Sequence, residues 1–188
     1  MNPDNNQLTN QFLIAMPGMQ DPNFSRTLSF VCEHSAGGAM GIIINRPAEL
    51  VLGDILDQLS YNTGSEIVYR QPVYHGGPLQ PERGFVIHSD NSVWDSTMAV
   101  SEHISVTTSR DILEAIAKGE GPANILMALG YAGWGPGQLE AELSDNVWLS
   151  GPASDEILFR APAEQRLALA ASQLGIDLNL ISTQAGHA

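Results

Sequence analysis

Cys32 and His34 stand two residues apart in an apolar run, the only close pairing of a thiol with an imidazole in the chain. On a strand this spacing projects both side chains to one face, roughly 6–7 Å apart. An imidazolium there lowers a thiol pKa and favours the reactive thiolate, so Cys32 is a candidate redox-active residue. Leu28 and Phe30 fall on the same face. The competing reading therefore buries Cys32 as a small hydrophobe and leaves His34 at the rim.

A polar group precedes that run: Asp21, Asn23, Ser25 and Arg26. A serine beside an acid invites a hydrolase reading. Yet the chain has no Gly-x-Ser-x-Gly elbow, and His88-Ser89-Asp90 alternates faces if it lies on a strand. No catalytic residue is assigned. Asn45-Arg46-Pro47 ends a second apolar run. A guanidinium at that point can hold a carboxylate or phosphate through two donors, or pair with one of the chain's own acids.

His75-Gly76-Gly77-Pro78 and His88 bracket another glycine-marked segment. His34, His75, His88 and His103 have no metal-ligand spacing, so no metal and no cofactor are expected. Gly130 to Gly135, with Tyr131 and Trp134 inside it, reads as a loop, and the glycine-rich run to Gly137, with Gln138 after it, precedes a helix. It matches neither the dinucleotide fingerprint nor a Walker loop. Tyr131 and Trp134 suit stacking of a planar ligand, and a tight turn buttressed by Trp134 is the plainer alternative. Glu140 and Glu142, two apart on the following helix, do not face each other as a carboxylate pair.

These residues need a scaffold. Phe12–Ala15, Leu28–His34 and Ala39–Asn45 read as strands, with Ser35–Gly38 as a hairpin turn. Ile42, Ile43 and Ile44 mark the third as central and covered on both faces. Leu52, Ile55, Leu56 and Leu59 follow helical spacing. Val73–His75, Gly84–His88, Ile104–Thr107, Ile125–Leu129 and Val147–Leu149 read as short strands. Thr108 and Asp111 suggest a capping box for a helix buried on Ile112, Leu113 and Ile116 and closed at Lys118-Gly119. Pro136 suits the first position of the next helix. Pro162 opens a last helix with an inner stripe of Leu167, Ala170, Ala171 and Leu174, stopped by Gly175. Ile176–Ile181 reads as a final edge strand. Early hairpins and late βα units predict an α+β fold, a mixed sheet with helices packed on it.

The 188 residues suit one domain, with an ordered core expected over about residues 8–182. One Cys excludes an internal disulfide framework. Eight Lys plus Arg against 21 Asp plus Glu give a net charge of −13, which disfavours direct DNA binding. No apolar stretch is long enough to cross a bilayer, and the polar start lacks the pattern of a secretory signal, so a cytoplasmic protein is expected.

Taken together, Met16-Pro17-Gly18-Met19, Asp21-Pro22-Asn23-Phe24, Gly38-Ala39-Met40-Gly41-Ile42, Asn45-Arg46-Pro47 and Tyr74-His75-Gly76-Gly77-Pro78 resemble the AlgH/YqgE family. Gly84-Phe85-Val86-Ile87-His88, Leu129 to Trp134, Gly137-Gln138-Leu139-Glu140 and Asn146-Val147-Trp148-Leu149 extend the resemblance over about Phe12 to Ile181. The resemblance implies a bacterial protein whose strongly bent sheet forms a pseudo-barrel. Some members are described as regulators of transcription, including alginate-type exopolysaccharide control. The resemblance carries no reaction, cofactor or catalytic residue.

The expected function is a non-enzymatic regulatory or ligand-binding protein. The alternative is an enzyme of unknown reaction, hydrolytic or thiol-dependent. The expected cleft gathers Asp21, Asn23, Ser25, Arg26, His34, Asn45, Arg46, His75, Gly76, Gly77, His88, Tyr131, Trp134 and Gln138. Its expected partner is a small anionic ligand or another protein.

Overall fold

The structure, a computed structural model, describes residues 8–90 and 92–184, with side chains described through residue 181. Ten strands form one curled sheet. They are β1 (Gln11–Ala15), β2 (Leu28–Ser35), β3 (Gly38–Ile43), β4 (Pro47–Val51), β5 (Pro72–His75), β6 (Leu79–Ser89), β7 (Thr97–Ala99), β8 (Ile104–Thr107), β9 (Ile125–Trp134) and β10 (Trp148–Pro152). The main path runs β10-β1-β2-β3-β9-β6-β8-β7. Strand β9 is the hub. One edge meets β3 through Ala132–Trp134 and β5, in parallel, through Met127–Leu129. Its other edge carries β6. The result is the α+β sheet that the residue patterns lead one to expect, strongly curled into a half-barrel as the family resemblance implies.

Alternation explains how the sheet is covered. Phe12 and Ile14 of β1 face a core shared with Phe30, Ile42, Phe85 and Ile87, while Leu13 and Ala15 face Val31, Trp134 and Trp148. Helix α5 (Ala163–Gln173) covers the first core through Ala170 and Ala171, beside a π-helical turn at Glu156–Arg160. Helix α4 (Gln138–Ser144) covers the second through Leu139. Helices α1 (Leu52–Gln58) and α3 (Asp111–Ala117) close a third cluster around Val73, Val86 and Met127. The short α2 (Glu66–Tyr69) packs near α1.

Four local readings need correction. The span Gly130–Gly135 is no loop: all but its last residue continue β9. Ile176–Ile181 is no strand: α6 (Leu178–Gln184) starts after Asp177, whose carboxylate accepts the Asn179 N–H. Helix α4 starts at Gln138, after Gly137, two residues beyond Pro136. The expected Thr108 capping box is absent, because the Thr108 N–H goes to the Ser96 carbonyl and Asp111 accepts from Ser109 Oγ and the Asp95 N–H. Among the described residues no helix is long and apolar enough to cross a membrane.

Candidate functional site

The loop Asp21–Arg26 does meet Asn45 and Arg46. Arg46 Nη1 and Nη2 donate to the carbonyls of Asn23 and Ser25, both at 2.7 Å. Asn45 Nδ2 donates to the Arg26 carbonyl and its Oδ1 accepts the Leu28 N–H, both at 2.9 Å. The Arg46 carbonyl in turn accepts the N–H of exposed His75. The terminal nitrogens expected to grip an anion are thus engaged in bracing a backbone loop. Arg26, held at φ 60°, is exposed and forms no ion pair among the described residues.

Gly76 and Gly77 have a packing reason. A Cβ on Gly77 would sit 2.1 Å from the Tyr131 carbonyl carbon, and one on Gly76 would sit 2.3 Å from the Gly130 carbonyl oxygen. Gly130 itself has φ +79°, with its Cβ position 2.5 Å from the Gly77 carbonyl oxygen. Two backbones cross here in contact that any side chain would break.

Because β9 continues through Gly130–Trp134, Tyr131 and Trp134 sit on opposite faces of it. They cannot sandwich one ligand. Trp134 closes an aromatic corner with Phe24 at 6.2 Å and Trp148 at 6.0 Å between ring centroids. Gln138 Oε1 accepts the Gly135 N–H and holds the start of α4. Sequence reasoning weighed Glu142 only as a partner for Glu140 and assigned it no site role, yet its carboxyl reaches this corner. Burial pushes its pKa up, the dipoles of Trp134, Trp148 and Gln138 oppose that, and the charge of Asp21 adds to the rise. Neither Glu142 Oε2 nor Trp148 Nε1 completes a hydrogen bond, although both are buried.

Cys32 and His34 do not cooperate. A bulge between Val31 and Glu33 breaks the expected alternation at Cys32. Cys32 enters the core beside Phe30, its Sγ 3.7 Å from the Phe30 carbonyl oxygen. Burial, and then the neighbouring Glu33 charge, push its thiol up, away from the reactive thiolate. His34 Nε2 instead meets Glu140 Oε1 at 2.5 Å. Glu140 is held below the usual carboxylate range by its own backbone N–H and then by His34.

His88 lies far from the Asp21–Arg26 loop. It pairs with Ile125 at the start of β9, nine residues and roughly 30 Å of strand from Trp134. It is fully buried, with Nε2 2.8 Å from Thr107 Oγ1 and Nδ1 3.7 Å from Asp90 Oδ1. This order imitates an Asp-His-hydroxyl relay. However, Thr107 is also fully buried, and its Oγ1 meets Thr97 Oγ1 at 2.9 Å, so no carbonyl can reach it. Burial lowers the His88 pKa and favours the neutral ring. Among the described residues no cluster of three or more His, Cys, Asp or Glu could hold a metal.

The Tyr131 face of β9 opens on a cavity of about 520 Å³. Met40, Phe85, Met98, Val106 and Tyr131 form its apolar wall, and the Phe85 and Tyr131 rings meet edge-on at 5.7 Å. Ser96, Thr97 and Thr108 line its polar side. Arg83 stands at the rim with its guanidinium 5.4 Å over the Phe85 ring and no carboxylate partner among the described residues. Only Tyr131 of the expected site lines this cavity. The readable signal was Arg83-Gly84-Phe85: at period two a cation and an aromatic share one strand face.

The AlgH-like (DUF179) family model matches residues 12–179. A UPF0301 protein from Thioalkalivibrio sulfidiphilus is 56% identical over 96% of both chains. One from Methylococcus capsulatus is 51% identical over the full length of both. The solution structure of the AlgH protein from Pseudomonas aeruginosa is similar with a TM-score of 0.79 and 48% identity, over 100% of this chain and 98% of that one. A crystal structure from Corynebacterium diphtheriae, 20% identical over 92% and 90% of the two chains with a TM-score of 0.73, shares the fold.

Proposed function

The chain belongs to the AlgH-like family, and from that premise we propose that it is a non-enzymatic regulatory protein governed by a small anionic ligand. The observation that carries this reading is the Tyr131 cavity, an apolar chamber with a guanidinium at its rim that has no carboxylate partner among the described residues and only a long 3.4 Å hydrogen bond to Gln80 Oε1. Apolar walls with a few convergent polar groups are the usual build of a small-molecule site. Met40 and Met98 are flexible enough to adapt to the ligand body. Arg83 would hold a carboxylate or phosphate, and the three hydroxyls would orient it.

Any effect on transcription, such as the exopolysaccharide control suggested by the resemblance, would then pass through a protein partner. The net charge of −13 opposes direct contact with a duplex. A cytoplasmic setting fits that role. The buried thiol and the buried Thr107 hydroxyl weigh against the enzyme reading.

Titration calorimetry with a panel of aryl and alkyl carboxylates tests this. A binding acid should lose about 10- to 100-fold in affinity in Arg83→Ala, the value of one charged hydrogen-bonded contact. Equal affinity in wild type and Arg83→Ala, or loss only in Arg46→Ala, would move the site back to the Asp21–Arg26 loop or abolish it.

A further inference from the structure

Among the described residues Arg166 is the one Lys, Arg, Asp or Glu that is buried as a whole residue, and sequence reasoning passed over it. It occupies the inner stripe of α5, four residues before Ala170. Its Nε donates to the Ala161 carbonyl at 3.1 Å, its Nη1 donates to the Ile44 carbonyl, and its guanidinium lies 4.9 Å from the Tyr74 ring centroid. Among the described residues Nη2 makes no hydrogen bond and no carboxylate lies within ion-pair distance. A guanidinium keeps its proton in proteins, so this is a permanent cation largely withdrawn from water, with no counter-charge among the described residues. The side chain borders a second cavity of about 400 Å³, walled also by Gln71, Tyr74, Phe159 and Pro162. Glu164 borders it too, but at two residues' separation on the helix it does not face Arg166.

We infer that this cavity binds a small oxyanion, a carboxylate or a phosphate, through the free Nη2 edge of Arg166. The anion would supply the counter-charge that none of the described acidic residues does. This site is separate from the Tyr131 cavity and does not depend on it.

The test uses the full chain at low ionic strength with inorganic phosphate and sodium acetate as probes, against sodium chloride at equal ionic strength. Thermal melts should shift up by about 5–10 °C at a probe concentration 100-fold above its dissociation constant. Response to either probe alone supports the site and identifies the anion. Glu164→Gln, an exposed change that removes the nearby negative charge, should tighten binding about threefold to tenfold. In an Arg83→Ala background, which removes the rim arginine of the Tyr131 cavity, a saturable response and its dependence on Glu164 should persist. Arg166→Lys, which keeps the charge and loses the fork, should weaken binding at least tenfold. The inference is overturned if neither probe binds saturably, if Glu164→Gln has no effect, or if Arg83→Ala abolishes the response.

Discussion

Tyr131 and Trp134 lie three residues apart on one strand, and the two faces they serve differ in kind. The Trp134 face is filled. Two indoles and the Phe24 ring close over Leu13, Val31 and Leu139, and Arg46 ties the loop that carries Phe24 to the strand ends. The Tyr131 face is open. Its rings line a cavity, and its arginine has no carboxylate partner among the described residues and only a long 3.4 Å hydrogen bond to Gln80 Oε1. The contrast teaches that an aromatic residue beside glycines is a weak sign of a binding site. What separates the two faces is whether neighbouring side chains already fill the space beside the aromatic ring.

Truncation should separate them most sharply. Trp134→Ala removes a ring that is 5% exposed and costs about 3–5 kcal/mol. Tyr131→Ala removes a half-buried ring beside empty space and costs about 1–2 kcal/mol. Urea unfolding followed by far-UV circular dichroism measures both. Equal losses would erase the distinction between a filled and an open face.

The arginines should divide the same way. Arg46→Ala forfeits two charged hydrogen bonds to carbonyls, for about 1–2 kcal/mol given its partial exposure, and amide exchange at Phe24, Ser25 and Thr27 should quicken. Arg83→Ala should stay within about 0.5 kcal/mol of wild type. An Arg83→Ala loss as large as that of Arg46→Ala would show that the rim arginine is structural.

Much of this contrast was legible in the sequence only in pieces. Leu28–His34 and Ile125–Leu129 read correctly as strands because their apolar residues alternate or run unbroken, as buried strands require. Gly130–Gly135 misled because glycine signals both a turn and a close backbone approach. Here the second applies, and parity then divides Tyr131 from Trp134. In Ile176–Ile181 the alternation of Ile176, Leu178 and Leu180 hid the capping role of Asp177. The cavity itself was out of reach. Its wall draws on β3, β6, β7, β8 and β9, and only the strand order brings Met40, Met98 and Arg83 together. Arg166 was within reach, as a charge at helical spacing on a stripe otherwise made of Leu and Ala.

Acid should expose His88, which belongs to neither face. Its folded pKa is lowered from the ordinary value of 6.5 by burial, so above that pH both folded and unfolded states are neutral and nothing is lost. As pH falls below 6.5 the unfolded chain takes up the proton first, and stability declines. His88→Gln should flatten the stability profile between pH 7 and 5, measured by urea midpoints at stepped pH. A parallel decline in the variant would assign the effect elsewhere.

The smallest effect should come from Glu142, and its sign is the reverse. Burial raises its folded pKa above the ordinary carboxylate value of 4.5. Below that value both states are protonated and the residue is neutral in effect. As pH rises through 4.5 and then through the raised folded value, the unfolded chain loses its proton first, and the folded state is penalised by the charge it must hold beside Asp21 and the indoles. Glu142→Gln should therefore melt higher than wild type at pH 7, and the two should converge near pH 4. The filled corner carries this penalty because its indole dipoles only partly offset the buried charge. If Glu142→Gln instead lowers the melting temperature at pH 7, the carboxylate is a bonded member of the corner, and the filled face owes its closure to polar contacts as well as to its rings.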